Sequence, residues 1–180
     1  NRPAGESLFN DEGDFKGGNS LPLPTESRAA RDAYVRRLFD FFPADGLRDM
    51  QIVVYQHSAV GRDLLVEILR GFGARVFPVG QSDAFVPMDT EDVSEDRLSD
   101  LQRMADETAT QSGPIDALVS TDGDSDRPLI CGTDFQGALT FFPGDLVGPL
   151  VAEYLGADGV VVPVSANDVV EEFLKGKVLP

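Results

Sequence analysis

"MQIVVYQHSAVGRDLLVEILRGFGARVFPVG", from Met50 to Gly80, decides how this chain folds. It opens on a short apolar run with β-branched residues, the mark of a buried strand. In "GRDLLVEILRGFGA" the apolar residues Leu64, Leu65, Ile68 and Leu69 share one face of a helix, with Gly71 as the expected breaker and Gly73 assisting it. A second strand, "ARVFPVG", closes the stretch. Strand, helix and strand in roughly thirty residues make a crossover unit, and such units build parallel sheets covered by helices.

The pattern extends in both directions. Upstream, "ESRAARDAYVRRLFDFFP" places Ala30, Tyr34 and Leu38 at helical intervals and ends at Pro43. Downstream, "QSDAFVPMDTEDV" reads as loop and "SEDRLSDLQRMADETAT" as a helix with Ser94 at its N-cap. "IDALVST" is a third strand. "RPLICGTD" and "GALTFFP" read as an antiparallel pair joined at Phe135 to Gly137. "GDLVGPLVAEYLGA" is then a helix, "GVVVPVS" a last strand, and "ANDVVEEFLKG" a last helix capped by Asn167. The expected class is α/β: a mixed, mostly parallel sheet with helices on both faces, plus the start of a second similar domain. Residues 1–26 are expected to be loop or the tail of a preceding domain, 27–142 an α/β domain, and 143–180 the beginning of the next. A chain that opens on Asn1 and closes on "KGKVLP" is expected to be part of a longer one.

Composition narrows the function. With 180 residues, 42% of them hydrophobic, the chain can bury a core. Fifteen Lys and Arg stand against 31 Asp and Glu, a formal charge of -16, which argues against nucleic acid or an anionic membrane as partner. A lone cysteine, Cys131, excludes an intramolecular disulfide framework and reads as a small core residue. With no spanning apolar run and no signal peptide, a cytoplasmic location is expected.

The third strand runs into "STDGDSDRP", Ser120 to Pro128, where Asp122, Asp124 and Asp126 alternate. In an extended or tightly turned loop alternate residues point to one side, so three carboxylates can converge, with Gly123 permitting a sharp backbone. Oxygen ligands of this kind suit Mg2+ or Ca2+ rather than zinc or copper. Arg127 supplies a planar fork matched to a phosphate. The plain alternative is solvated loop aspartates in a turn. An EF-hand is excluded, because the sixth and twelfth positions counted from Asp122 are Arg127 and Thr133 instead of Gly and Glu. A haloacid-dehalogenase-type phosphatase would share the strand and the Asp-x-Asp, but Asp126 stands where Thr or Val belongs. A non-catalytic acidic α/β module is a further alternative. The one histidine, His57, with Ser58 and Arg62-Asp63, is expected in a turn whose polar groups cap the helix starting near Gly61.

Strand, Asp-Gly-Asp-x-Asp-Arg, β-hairpin and "PGDLV" helix together resemble the α-D-phosphohexomutases, the phosphoglucomutase and phosphomannomutase group. Met50 to Gly80 resembles the opening of that family's second domain, and "GADGVVVPVSANDVVEE" the entry to its third, so the likeness covers roughly residues 27–172. The resemblance implies that Asp122, Asp124 and Asp126 bind Mg2+ and that Arg127 approaches the phosphate of a catalytic phosphoserine. The implied reaction moves a phosphoryl group between that serine and a hexose 1- or 6-phosphate through a bisphosphorylated sugar. The family's Thr-x-Ser-His-Asn-Pro, Gly-Glu-x-Ser-Gly and Arg-x-Ser-Gly-Thr loops have no match here, and His57 does not replace the first. "NRPAGE" at the start would be a remnant of the first domain, and the chain alone is expected to be inactive.

Overall fold

The computed structural model describes residues 7, 9–16, 25 and 27–175. The expected remnant "NRPAGE" lies outside them. The chain divides into two compact units, Asn1–Arg37 and Leu38–Pro180. In the first, Phe9 and Phe15 form an isolated antiparallel bridge with ring centroids 4.7 Å apart. The helix α1 covers Ala29–Phe41.

The second unit holds a five-stranded sheet: β1 (Gln51–Tyr55), β2 (Arg75–Val79), β3 (Ala117–Thr121), β4 (Pro128–Thr133) and β5 (Leu139–Phe141), in the order β2-β1-β3-β4-β5. β1 pairs in parallel with both β2 and β3, whereas β4 is antiparallel to β3 and to β5. Four strands therefore point one way and β4 alone runs against them. The mixed, mostly parallel sheet expected from the sequence is the one observed.

β1 shows why the sheet needs cover on both sides. Val53 and Tyr55 face α3 (Glu95–Ser112), packing with Leu101, Ala105, Leu118, Leu129 and Cys131. Ile52 and Val54 face the other way, against Val66, Leu65 and Leu69 of α2 (Arg62–Gly71). Period-2 alternation on a strand and a one-sided apolar stripe on each helix dictate this layering. Ser94 caps α3 as expected, its hydroxyl accepting from the Arg97 N–H at 3.3 Å. Burial pushes the Cys131 thiol up to about 11, so it is a protonated core group at neutral pH.

Two expectations need correction. Gly71 is still part of α2; the C-cap is Phe72, and the positive φ, +91°, belongs to Gly73. What Gly71 supplies is room, since a Cβ there would meet the ring of Phe39. The strand expected over 159–165 does not form, and Val161 and Val164 are exposed. A β-branched apolar run becomes a strand only beside a partner that takes its hydrogen bonds, and no described strand pairs with it. On either side, α4 (Gly144–Leu155) packs against α5 (Asp168–Leu174), whose N-cap is Asn167 as expected. Among the described residues no helix is long and apolar enough to cross a membrane.

Leu118 is fully buried in the middle strand. Leu118→Ala is expected to lower stability by about 3 kcal/mol, seen as a lower urea midpoint at unchanged slope.

Candidate metal and phosphate site

Because β1 and β3 are parallel neighbours, their carboxyl ends emerge side by side. Open α/β sheets place ligands at such edges. Two loops leave from there, residues 56–61 toward α2 and residues 122–127 toward β4. The β3–β4 register pairs Thr121 with Pro128, so 122–127 is a hairpin loop whose first and last residues lie opposite each other. The Asp122 N–H donates to the Arg127 carbonyl at 3.1 Å and closes it.

Inside the loop Ser125 takes φ +65°, and its N–H reaches the Asp122 carbonyl at 3.3 Å. This turn, rather than the alternation of an extended strand, gathers the acids. Asp122, Asp124 and Asp126 each offer one oxygen, and these lie within 4.8 Å of one another. All three expected ligands and Arg127 thus share one loop and one place.

The three acids are not equivalent. Asp122 is 3% exposed, while Asp124 and Asp126 face solvent. One oxygen of Asp122 accepts from the N–H groups of Asp126 and Arg127, both at 3.2 Å, and the other accepts from Arg127 Nε at 2.9 Å. Burial acts to raise its carboxyl, but the hydrogen bonds and charge of Arg127 outweigh it and hold Asp122 below the ordinary value. Asp126 moves the other way. Repulsion from Asp124, then burial and Asp122, raises it. Arg127 also donates from a terminal nitrogen to Glu91 at 3.1 Å. The bonds to Glu91 and then Asp122 raise its guanidinium further. Of its five N–H donors these contacts use two, and the side chain remains half exposed.

Three hard oxygen donors at this spacing, with the repulsion between them only partly offset by Arg127, fit a divalent cation such as Mg2+. Asp122 keeps acceptor capacity for it, since three hydrogen bonds leave part of a carboxylate's roughly four lone-pair sites.

The turn after β1 corrects another expectation. The N-cap of α2 is Gly61, which has no side chain to cap the helix, and the side chains of His57 and Ser58 bond elsewhere instead of capping it. His57 is fully buried, and its Nε2–H donates to the Thr121 carbonyl at 2.8 Å, just before the acidic loop. Ser58 Oγ accepts from the Val86 N–H at 2.8 Å. Glu91, too, escaped the sequence reading. It is held by a turn in which Asp89 accepts from the Glu91 and Asp92 N–H groups, and it meets Arg127 from 36 residues away. No local pattern links the two.

The chain matches the family model for phosphoglucomutase/phosphomannomutase, alpha/beta/alpha domain II, over residues 32–135. It is 42% identical over 145 residues to a phosphomannomutase of Sinorhizobium fredii, covering 81% of this chain and 29% of that protein. It is 38% identical over 176 residues to a phosphomannomutase of Salmonella muenchen, covering 94% of this chain and 35% of that one. The chain therefore spans about a third of the length of these curated relatives.

The opposite displacements of Asp122 and Asp126 make opposite pH signatures. The contribution of Asp122 is present above the unfolded carboxylate value of about 3.9 and is lost as pH falls through its lowered folded value. The loss of stability in Asp122→Asn should therefore be larger at pH 7 than below pH 4. Asp126 is raised, so its cost appears as pH rises through its folded value. Without divalent cations, Asp126→Asn should raise the unfolding midpoint at pH 7 and not below pH 4. Urea titrations at the two pH values check both, and pH-independent differences would contradict the electrostatic assignment.

Proposed function

The chain belongs to the phosphoglucomutase/phosphomannomutase family, and from that premise we propose that it is the metal-binding portion of a cytoplasmic phosphohexomutase. The substrate class is a phosphorylated hexose, whose 1- and 6-phosphates are interconverted through a phosphoserine and a bisphosphorylated sugar. Residues 27–142 form the metal-binding α/β domain in this proposal, and 143–180 begin the next. The observation that carries the reading is the convergence of the three aspartate oxygens within 4.8 Å on the hairpin loop, with Arg127 in the same loop.

Asp122, Asp124 and Asp126 would hold Mg2+. When bound, the ion would neutralise charge on the transferring phosphoryl group and polarise it toward attack. Arg127, fixed on one side by Asp122 and Glu91, offers its remaining donors to a phosphate oxygen. The two acids that hold it also fix where its charge stands, which is the preorganisation that charge stabilisation requires. In phosphoryl transfer of this kind the serine–phosphate bond breaks as a bond forms to a sugar hydroxyl. The hydroxyl's proton passes by way of solvent to the serine oxygen that loses the phosphoryl group. In the return step the sugar's other phosphate moves to the serine as the sugar oxygen it leaves takes up a proton.

The same geometry disfavours the phosphatase alternative. Its nucleophile would be Asp122, yet both oxygens of Asp122 are engaged by its own loop and the side chain is buried. A carboxylate so enclosed is a structural and ligating group rather than an attacking one.

In the intact protein, Asp124→Asn is expected to weaken Mg2+ binding at least about tenfold and to cut turnover at least about a hundredfold. The exposed position of Asp124 should leave the fold unchanged. Calorimetric Mg2+ titration, a coupled mutase assay and circular dichroism measure the three. Undiminished turnover at low Mg2+ would refute the metal assignment. Arg127→Lys keeps the charge but not the fork, and should lower turnover more than it lowers Mg2+ affinity.

A further inference from the structure

The β1–α2 turn touches the acidic loop at three successive points across about sixty residues of sequence. His57 Nε2–H donates to the Thr121 carbonyl at 2.8 Å, the Val60 N–H to the Gly123 carbonyl at 3.0 Å, and the Gly61 N–H to Ser125 Oγ at 2.9 Å. Within the hairpin itself the Thr121 hydroxyl also lies 3.0 Å from Ser125 Oγ. Ser125 sits between two of the acids, in a left-handed conformation that L-residues avoid at a cost of about 1 kcal/mol. Its hydroxyl is what the neighbouring turn holds. The fit is close: a Cβ on Gly61 would stand 2.9 Å from both Cβ and Oγ of Ser125. Gly61 itself has an ordinary backbone, φ -89°, so it is the space and not the conformation that a larger residue would violate.

We infer that Gly61 and Ser125 form a contact through which the β1–α2 turn sets the spacing of Asp124 and Asp126, making both positioning residues for divalent-cation binding. The inference rests on the proposed Mg2+ site for its functional consequence, but the contact itself can be tested without metal. Ser125→Ala removes the anchored hydroxyl and keeps the unfavourable backbone. Ser125→Gly removes the hydroxyl and relieves the backbone. Gly61→Ala leaves the N–H donor in place and pushes on Ser125. In the Ser125→Gly background the two atoms that an alanine at 61 would strike are gone.

The expected pattern is therefore non-additive. Calorimetric titration of Mg2+ into the intact protein should show Ser125→Ala and Gly61→Ala each weakening binding about tenfold. Gly61→Ala should cost nothing further once Ser125 is Gly. In metal-free buffer, hydrogen exchange at the Asp126 and Arg127 amides, which Asp122 accepts, should quicken in Gly61→Ala and not in the double variant relative to Ser125→Gly. If Gly61→Ala weakens Mg2+ binding and speeds exchange equally in both backgrounds, or does neither in either, the contact does not position the loop. Those results overturn the inference alone. Mg2+ binding that Asp124→Asn leaves untouched overturns instead the reading of the metal site, while the exchange pattern still decides the contact.

Discussion

A carboxylate taken out of water has to be compensated, and in this molecule the compensation of Asp122 organises the site. Isolated burial of such a charge is costly enough that the group would ordinarily protonate. Asp122 instead receives two backbone N–H groups and the Nε–H of Arg127. All three donors come from the far side of its own hairpin loop. The loop's shape and its charge balance are thus one fact: the backbone can bring Asp126 and Arg127 within reach of Asp122 only by turning sharply at Ser125. That turn places Asp124 and Asp126 on the outside, where among the described residues no cation matches Arg127's hold on Asp122, and Arg127 itself reaches Asp126 only at 3.6 Å. One acid is satisfied and two repel. In the proposed metal site the attraction for a dication would follow from that asymmetry rather than from the number of acids.

The sheet explains why this loop is held so firmly. β1 and β3 are parallel, so the exits of both strands crowd one edge, and the antiparallel β4 returns the chain at once. A loop at that edge has the turn from β1 as a neighbour, and the turn presents donors to it. Ser120 joins in from below, its hydroxyl donating to the Tyr55 carbonyl at 2.6 Å. His57 and Ser125 both adopt positive φ, a combination that persists only where surrounding bonds over-determine it. Here the bonds run between the two strained segments, so each stabilises the other.

How far this was legible in the sequence depends on the range of the interaction. The crossover from Met50 to Gly80 could be read because burial on both sheet faces writes continuous apolar strands and a one-sided helix into neighbouring residues. The caps at Ser94 and Asn167 are equally local. Family likeness was carried by the short acidic motif, whose spacing is set within one hairpin. Where reading went astray, the deciding partner lay elsewhere. The apolar residues 159–165 have strand composition, but a strand is a relation between two segments. His57 looked like a capping residue because its true acceptor, Thr121, is 64 residues away. The convergence of the aspartates was expected from alternation in an extended or tightly turned loop; the loop is the turned one, bent at a left-handed Ser125 that nothing about a serine announces.

The same bonds bear on what kind of chemistry the site can support. The chain has a single histidine, the side chain best suited to moving protons near neutral pH. It is buried, and its Nε2–H is committed to a carbonyl. Asp122 is held ionised below its ordinary value, and Arg127 is driven further from losing its proton. Neither Asp122 nor Arg127 is poised to exchange a proton during a reaction. Asp122 and Arg127 are fixed as charges in a geometry that does not need to reorganise. A site so built is suited to stabilising charge that arrives and departs, as it does when a phosphoryl group passes between oxygens with little covalent help from the protein.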